Sequence, residues 1–341
     1  MEGWTMDEKN DRFHLSGFLV PLVNCASLGG TSVISYPAPF RFALFRSNLP
    51  GRTEADFAKS VAYAKRPKIY LLAHAANPPP TIFTDVMEVL YDSTIPFDLR
   101  FFQSLDRIVQ SEPWIERDRA MIDQLRSIGI EKGKPFAPDS KTQHILNAAA
   151  REAHDLLEQR YESVSPSYFE GTQWRVPAQP EAVEGQSTRY AKRDSYAIDA
   201  RGLTYTYGFI GIKRLGTAQF YLMAIKDKDG KNLDGGRTYR LTVPANAPVE
   251  EYWSATAYDR TTHALIRDMP RASATSLSAE VRKNADGSVD VYLGPKAPAG
   301  KESNWIPTKA EGEFEVLFRL YRPQKPLFDK SWKLPDIEEV K

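Results

Sequence analysis

Alternation of apolar and polar residues in the C-terminal part of the chain constrains the fold more than any other feature. Two such runs, SVDVYLG and FEVLFRLY, lie between residues 284 and 335. A period of two places successive side chains on opposite faces of a strand, so that one face can meet a core. A Pro- and Gly-rich connection, GPKAPAG, separates the runs, and Gly312 and Pro323 bracket the second one. The two runs therefore predict two β-strands.

Further short runs upstream predict a complete β domain. The expected strands are GLTYTYGFIGIK, AQFYLMAIKD, TYRLTVPA and YWSATAYD, and the segments DKDGK and NADGS are typical of hairpin turns because Asp-Gly accepts a positive φ. This pattern begins after Ser163, which places a domain boundary near Ser165-Pro166. Several short strands at this spacing indicate a β-sandwich or jelly roll over residues 165 to 341.

Residues 53 to 164 show helical periodicity instead. Thr53-Glu54-Ala55-Asp56 is a capping-box pattern ahead of a run through Phe57 and Val61. Four further helices are expected, and the second of them has a core-facing stripe. Ser111, with Glu112 and Pro113 behind it, begins the third helix, and Gly129 ends it. The apolar residues of the other three are Ile82, Val86 and Val89; Phe101, Leu105 and Ile108; and Ile145, Ala149 and Leu156. The predicted fold class is α+β, with a helical N-terminal region followed by a jelly-roll-like β-sandwich.

Long segments of the chain resemble a bacterial family. They are YLMAIKDKDGKNLDGGRTYRLTVPANAPVEEYW, YWSATAYDRTTHALIRDMPRAS, NADGSVDVYLGPKAPAGKESNWIP and FRLYRPQKPLFDKSWKLPDIEEV. These are similar to the domain of unknown function twelve-fourteen, from about Thr53 to the C-terminus. The resemblance implies a C-terminal jelly roll, a helical middle and an N-terminal immunoglobulin-like domain of unknown function twelve-fifty-four. Residues 1 to 52 match that last domain poorly and are expected to be an arm or a remnant of it.

Composition excludes several classes of partner. Lys and Arg number 45 and Asp and Glu 44, giving a formal charge of +1, which argues against a broad surface for nucleic acid or an anionic membrane. The single cysteine, Cys25, excludes an intrachain disulfide and a multi-cysteine metal site. No apolar run approaches the roughly 18 residues of a membrane span. We therefore expect neither nucleic-acid binding nor a membrane span.

The N-terminus bears on the location of the protein. The run FHLSGFLVPLVNCASLGG reads like a short signal-peptide core, but the preceding MEGWTMDEKNDR is acidic where a signal carries positive charge. The sequence as given therefore predicts a cytoplasmic protein, whereas many relatives look exported to the periplasm.

Standard catalytic and cofactor signatures are absent, so we expect no cofactor. The run from Asp227 to Asp234 resembles a calcium loop, yet it lacks the glycine and the glutamate that such a loop requires, so we expect a turn and no metal.

Asp259, His263 and Arg271 follow the YWSATAYD strand, and together they are candidate catalytic residues of a hydrolase or lyase. The alternative is ordinary ion pairing in a polar loop.

A second group of residues is a candidate ligand pocket. Tyr258, Asn304, Trp305 and Arg319 combine aromatic walls with polar groups, as small-molecule sites do, although Trp305 is equally suited to a core. These residues favour a ligand-binding or assembly module with a small-molecule or sugar cavity. An enzyme that uses Asp259, His263 and Arg271 is the alternative. Loss of an N-terminal β domain would leave apolar surface on the helical region, so we also expect a homo-oligomer.

Overall fold

The structure is a computed structural model of the 341-residue chain. It describes residues 6–7, 12–13, 53–68, 70, 72–86, 94–112, 114, 116–163, 166–188, 191–192, 194–195, 197–208 and 218–340. The chain divides into two compact units, the first comprising residues 1–92 and 97–150 and the second residues 93–96 and 151–341. This division falls at residue 150, whereas the change in composition predicts a boundary near Ser165-Pro166; Ser165 lies outside the described residues.

Short strands and helices make up the first unit. Its strands β1 (Met6–Asp7) and β2 (Arg12–Phe13) pair antiparallel. Its helices are α1 (Glu54–Ala64), α2 (Leu99–Ser111), α3 (Arg119–Gln124) and the first part of α4 (Ser140–Ser163), with 3₁₀ turns at Leu72–His74, Glu116–Asp118 and Leu125–Ile128. The predicted capping box is confirmed, because Thr53 Oγ1 accepts from Asp56 N at 3.2 Å and Asp56 Oδ2 accepts from Thr53 N at 3.1 Å.

The helix predicted through Ile82 and Val86 is wrong for the described part of that segment. Residues 81–86 are irregular, and Val89 lies outside the described residues. Three consecutive prolines, Pro78 to Pro80, precede the segment. They hold the backbone extended and offer no N–H donors.

Helix α2 forms where predicted, but its apolar stripe does not face a core. Phe101 is 43% exposed and Ile108 is 56% exposed, while Val109 is buried. The side of the helix that carries Gln110 is joined to a neighbouring loop, since its amide donates to Glu131 O at 2.9 Å and its carbonyl accepts from Gly133 N at 2.8 Å. These hydrogen bonds turn Gln110, rather than the predicted stripe, toward the rest of the unit.

The described residues of the second unit form three further helices and eight strands. The helices are α5 (Pro180–Ser187), α6 (Ile198–Gly208) and α7 (Lys325–Phe328). The strands are β3 (Gln219–Ala224), β4 (Tyr239–Val243), β5 (Trp253–Asp259), β6 (Ser273–Thr275), β7 (Val289–Gly294), β8 (Trp305–Pro307), β9 (Phe314–Tyr321) and β10 (Glu338–Glu339). Five of the predicted strands, those in AQFYLMAIKD, TYRLTVPA, YWSATAYD, SVDVYLG and FEVLFRLY, are thus confirmed.

The predicted strand GLTYTYGFIGIK is wrong over its first residues, which belong to helix α6; residues 209–217 lie outside the described residues. Packing overrides the β propensity of this segment, because Leu203 is buried in a cluster with Tyr161, Met223 and Ile225.

The strands form two four-stranded sheets. One is fully antiparallel with the order β3-β9-β5-β6, and the other is mixed with the order β10-β4-β7-β8, since β7 and β8 run parallel. Both sheets contribute to one buried apolar cluster, and in it Trp253 stacks on Phe318 with ring centroids 5.5 Å apart. The protein therefore has the α+β class, with helices in its N-terminal half and two sheets sharing a core in its C-terminal part.

In the part of the chain that the structure describes, no helix combines the length and apolar character that crossing a membrane requires.

Candidate functional site

The turn that follows β5 holds the first group of candidate residues. Asp259 N donates to Ala264 O and His263 N donates to Asp259 O, both at 2.8 Å, so the chain reverses tightly. The carboxylate of Asp259 accepts from Thr261 N at 3.1 Å and from Thr262 N at 2.9 Å. His263 takes a left-handed conformation with φ +52°, which histidine tolerates better than most residues. The turn thus fixes His263 at a position where its side chain is buried.

The His263 ring lies between two carboxylates. Nδ1 is 3.1 Å from Glu315 Oε1 on β9, and Nε2 is 3.0 Å from Glu158 Oε1 on α4. The side chains of His263 and Glu315 are 7% and 5% exposed, whereas Glu158 is 25% exposed. A carboxylate can only accept hydrogen bonds, so this arrangement requires both ring nitrogens to carry protons.

The charges around His263 favour its protonated form. Burial alone lowers the pKa of His263, but the charge of Glu315 and the hydrogen bonds to both carboxylates outweigh burial and raise the pKa to about 9. Burial raises the pKa of Glu158, yet the His263 hydrogen bond and the charge of Arg260 outweigh that effect and lower it. His263 is therefore an imidazolium at neutral pH.

Two further side chains complete this group, which we call the His263 cluster: Glu158, Tyr161, Arg260, His263 and Glu315. Arg260 is hydrogen-bonded to Glu158, and its guanidinium lies 4.4 Å from the centroid of the Tyr161 ring. The hydroxyl of Tyr161 donates to Glu315 Oε2. Two cations thus balance two carboxylates, which makes the cluster a buried ionic link between α4, β9 and the turn after β5.

The other predicted catalytic residues have separate partners. Arg271 donates to the main-chain oxygens of Glu302 and Ser303. Asp259, besides its hydrogen bonds within the turn, has Lys309 Nζ at 3.8 Å. The functional groups of Asp259, His263 and Arg271 are thus held by three different sets of partners, and their joint catalytic role stays a prediction.

The four predicted ligand-binding residues fall into two pairs, one on the antiparallel sheet and one where the 3₁₀ turn Glu302–Asn304 leads into β8 of the mixed sheet. Arg319 of β9 is hydrogen-bonded to the hydroxyl of Tyr258 of β5, and its guanidinium lies 5.8 Å from the centroid of that ring. On the other sheet, Trp305 Nε1 donates to Gly294 O at 2.9 Å. Tyr258 and Arg319 are therefore neighbours, whereas Trp305 belongs to the mixed sheet.

Asn304 precedes Trp305 and is buried with its amide fully used. It donates to Arg282 O at 2.8 Å and to Asp290 O at 2.9 Å, and it accepts from Arg282 N at 2.8 Å. Because Asn304 ties a loop to β7, its role as a ligand contact also stays a prediction.

A third location in the second unit is a polar cleft of about 600 Å³, which we call the Asp234 cleft. Its polar groups are fixed by hydrogen bonds. Asp234 Oδ1 accepts from Gly236 N at 2.8 Å, and Arg237 donates to Glu339 at 2.9 Å. The lining residues are Asp227, Lys231, Asn232, Asp234, Arg237, Tyr239, Gly312, Glu313 and Glu339.

A close backbone approach lies next to Asp234 in the sequence. Gly235 lies so near residue 309 that an added Cβ would be 2.1 Å from Lys309 O. Gly235 N also donates to Gly312 O at 2.8 Å. A side chain at residue 235 would overlap this main-chain oxygen, so only glycine fits there.

The lining of the cleft is acidic. Its four carboxylates, Asp227, Asp234, Glu313 and Glu339, outnumber the cations Lys231 and Arg237, which leaves a local charge of −2. Among the described residues, no group of three or more His, Cys, Asp or Glu side chains is arranged to hold a metal ion. The lining of the cleft is therefore rich in hydrogen-bond acceptors.

Sequence reasoning missed most of these residues. Glu315 carries a detectable signal, because it is one of two charged residues in the mostly apolar run of β9, whereas Glu158 is one of several charged residues of α4 and carries none. The turn predicted from Asp227 is confirmed, since Asp227 N donates to Lys231 O at 2.8 Å. What the sequence did not reveal is that the same turn lines the cleft.

A comparison with known protein families finds a match for part of the second unit. Residues 218–325 match the family described as Protein of unknown function (DUF1214). These residues run from the start of β3 to the first residue of α7. The match supports the predicted resemblance for the C-terminal domain. A comparison with functionally curated proteins finds no significant match.

Solved structures that resemble the chain include two bacterial proteins. The VPA0106 protein from Vibrio parahaemolyticus is 18% identical with a TM-score of 0.43, and the similarity covers 85% of this chain and 66% of that one. An uncharacterized protein from Burkholderia cenocepacia is 14% identical with a TM-score of 0.27, and the similarity covers 66% of this chain and 50% of that one. The chain thus spans just under two thirds of the length of the first protein and half of the second.

Proposed function

We propose that the protein is a binding module and that its second unit holds a small polyhydroxylated ligand, of the sugar class, in the Asp234 cleft. The observation that carries this proposal is the convergence of fixed acceptors and donors on one cleft of about 600 Å³. Small-molecule sites generally enclose roughly 300 to 1,000 Å³ and orient the ligand through a few placed polar groups.

The chemistry of the lining favours neutral or cationic ligands. Carboxylate oxygens accept hydrogen bonds from hydroxyl or ammonium groups. Asn232 and Arg237 supply donors, although each already bonds a carboxylate of the cleft, Glu313 at 3.0 Å and Glu339 at 2.9 Å. Since the net charge of the lining is −2, an anionic ligand would be repelled. A sugar with free hydroxyl groups, or an amino sugar, suits this site best.

The alternative proposal is a hydrolase or lyase acting through Asp259, His263 and Arg271. A general base at His263 would need a ring nitrogen with a free lone pair. Both nitrogens instead face carboxylates, and the pKa of about 9 keeps the ring protonated. The binding function is therefore preferred over this alternative.

Several finer features of the proposal rest on the sequence alone. They are the jelly-roll path of the strands, the helical domain over residues 53–164, the β domain over residues 165–341, the origin of residues 1–52 in an immunoglobulin-like domain, and a cytoplasmic location. The second ligand-binding group, Tyr258, Asn304, Trp305 and Arg319, is a further proposal of the same kind.

A thermal-shift and calorimetry screen tests the proposed function. The probes are D-glucose, maltose, D-glucosamine and D-glucuronate. A ligand present at about 100 times its Kd stabilises the folded state by about 2.7 kcal/mol, which raises Tm by roughly 5 to 10 °C. We expect a shift with at least one neutral or amino sugar and none with glucuronate.

Two variants locate the binding site. Asp234→Asn keeps the acceptor for Gly236 N but removes one negative charge from the cleft, so it should weaken binding of the same sugar at least tenfold. Glu280→Gln is the matched control, because Glu280 is exposed and does not line the cleft. The proposal fails if no probe binds to folded protein, or if Asp234→Asn and Glu280→Gln bind the sugar equally well.

A further inference from the structure

Three of the four carboxylates that line the Asp234 cleft have donors on both of their oxygens. Glu313 accepts from Asn232 at 3.0 and 3.1 Å. Glu339 accepts from Arg237 at 2.9 and 3.1 Å. Asp234 accepts from a main-chain N–H at 2.8 Å and from Arg237 at 3.4 Å. A ligand that bonds one of these oxygens has to share it with an existing donor, so the fourth carboxylate matters most for selectivity.

The fourth carboxylate, Asp227, has an unused oxygen. Asp227 is 1% exposed, and its Oδ1 accepts from Asp229 N at 2.9 Å and from Lys231 N at 3.0 Å. Among the described residues, its Oδ2 has neither a hydrogen-bond partner nor an ion-pair partner. Because Asp227 lines the cleft, Oδ2 is the atom through which this carboxylate can bond a ligand.

The described residues also provide no counter-ion for Asp227. Lys231 is exposed and bonds Asp227 only through its main-chain N–H. An ionised carboxylate that is removed from water without a counter-ion is costly. The pKa of the nearby Asp336 is raised, chiefly by burial and further by the charge of Asp227. The surroundings of Asp227 therefore favour an added positive charge.

The hydroxyl of Tyr239 is a second group that a ligand can use. Tyr239 is 1% exposed, and its hydroxyl accepts from Asp234 N at 3.0 Å. Burial raises the pKa of Tyr239, so the hydroxyl keeps its proton. In the part of the chain that the structure describes, that proton has no acceptor. Since Tyr239 lines the cleft, its hydroxyl can donate to an oxygen of a ligand.

We propose that the cleft selects an amino sugar, whose ammonium group donates to Asp227 Oδ2 while one of its hydroxyl oxygens accepts from Tyr239. This inference rests on the proposed function, because it specifies which sugar the Asp234 cleft holds. An ammonium group supplies both hydrogen-bond donors and a counter-ion, whereas a hydroxyl group supplies only a donor. A cleft of about 600 Å³ has room for a monosaccharide.

Other ligand classes satisfy these two groups less well. A neutral sugar leaves the charge of Asp227 without a counter-ion, and a sugar acid adds a second negative charge beside it. A simple amine without hydroxyl groups leaves the proton of the Tyr239 hydroxyl without an acceptor. An amino sugar avoids all three of these penalties.

Isothermal titration calorimetry of the full chain tests this selectivity. D-glucosamine, D-glucose and N-acetyl-D-glucosamine share one ring and differ in a single substituent, which is an ammonium, a hydroxyl or a neutral amide group. Since a charge-assisted hydrogen bond is roughly twice as strong as a neutral one, the Kd of D-glucosamine should be roughly tenfold below those of the other two. Ethylamine, which has the ammonium group without the ring, should bind more weakly than D-glucosamine.

Asp227→Asn tests which atom reads the ammonium group. Asn keeps an oxygen for the two main-chain N–H groups but places an amide N–H₂ at the position of Oδ2, where it cannot accept from an ammonium group. The ratio of the Kd of D-glucose to that of D-glucosamine should therefore fall from roughly tenfold to about one. Asp229→Asn is the matched control, because it makes the same charge change at an exposed residue of the same turn that does not line the cleft. Its ratio should equal that of the parent.

Tyr239→Phe tests the second contact. Phe keeps the aromatic ring and removes the hydroxyl, so it should weaken the binding of D-glucosamine and D-glucose by a similar factor and leave their ratio unchanged. Unaltered affinity for both sugars would overturn the assignment of Tyr239.

The outcomes separate this inference from the proposed function. If no sugar binds the folded parent, the proposed function fails and this inference fails with it. If D-glucose or N-acetyl-D-glucosamine binds the parent as tightly as D-glucosamine does, the proposed function stands and the selection of an amino sugar is overturned. A preference for D-glucosamine that persists in Asp227→Asn overturns it as well, because another group then reads the ammonium.

Discussion

Replacing His263 with Gln would test whether the His263 cluster carries a buried proton at neutral pH. Gln keeps a polar side chain between Glu158 and Glu315 but cannot supply a positive charge. The comparison of interest is the pH dependence of the free energy of unfolding, in the parent and in the variant.

The magnitude follows from the pKa of the ring. The pKa rises from 6.5 in the unfolded chain to about 9 in the folded one, which corresponds to about 3 kcal/mol at roughly 1.4 kcal/mol for each tenfold change in affinity for the proton. Because the folded value is the higher one, this stabilisation is fully present below pH 6.5. It is lost as the pH rises from 6.5 through 9.

Urea unfolding followed by tryptophan fluorescence is a suitable assay, because Trp174, Trp253 and Trp332 are buried in the second unit. The free energy of unfolding is measured at intervals from pH 6 to pH 10. Over this range it should fall by about 3 kcal/mol more in the parent than in His263→Gln. Lysines and tyrosines that titrate in both proteins cancel in this difference. His144→Gln, which changes an exposed histidine on α4, should behave like the parent.

Equal losses in the parent and His263→Gln between pH 6 and pH 10 would refute the reasoning, since the ring would then hold no extra proton in the folded state. A direct NMR titration of the His263 ring tests the same point without unfolding the protein, because a midpoint near 6.5 would contradict the raised pKa.

Two further predictions concern packing and hydrogen bonding in the second unit. Gly235→Ala should lower the free energy of urea unfolding by more than about 2 kcal/mol, because the added Cβ would lie 2.1 Å from the main-chain oxygen of Lys309. In contrast, Gly202→Ala should raise the free energy of unfolding by up to about 1 kcal/mol, because α6 has room for a Cβ at that position. Equal effects of the two changes would contradict the close approach. Tyr161→Phe should lower the free energy of unfolding by about 1 to 3 kcal/mol, because Glu315 loses a hydroxyl donor in a buried site. A decrease below about 0.5 kcal/mol would mean that another group replaces this hydrogen bond.

Strands of the second unit could be predicted because their burial is periodic along the sequence. In β9, Val316, Phe318 and Leu320 are all buried, and the intervening Leu317 and Arg319 are less so. The pattern sufficed because one face of the strand meets the core that the two sheets share, while the other face carries the more polar residues of the run.

Helix α6 shows why the same reasoning fails elsewhere. Its sequence, IDARGLTYTYG, alternates aromatic and β-branched residues as a strand does, yet Leu203 packs against Tyr161 and Met223 and the segment is helical. The decisive contacts come from residues distant in the sequence, so a local pattern does not contain them.

The candidate sites were hidden for a similar reason. The partners of His263 are Glu158 and Glu315, which lie about a hundred residues before it and fifty after it. The sequence identified His263 as a residue of interest but associated it with its neighbours Asp259 and Arg271, because sequence proximity was the only available guide to spatial proximity.

The pairing of the strands has a consequence for synthesis on the ribosome. Strand β3 pairs with β9, and β4 pairs with β10, the last strand among the described residues. Leu334 and Ile337, beyond the residues that match the family, are fully buried in the shared core. Neither sheet can close until β9 and β10 have left the exit tunnel, so the fold of the second unit cannot be completed before its C-terminal strands have emerged. Contacts so distant in sequence also slow folding, and a chain that stops at residue 325 would leave the edge of β4 and the core beneath it exposed to other chains.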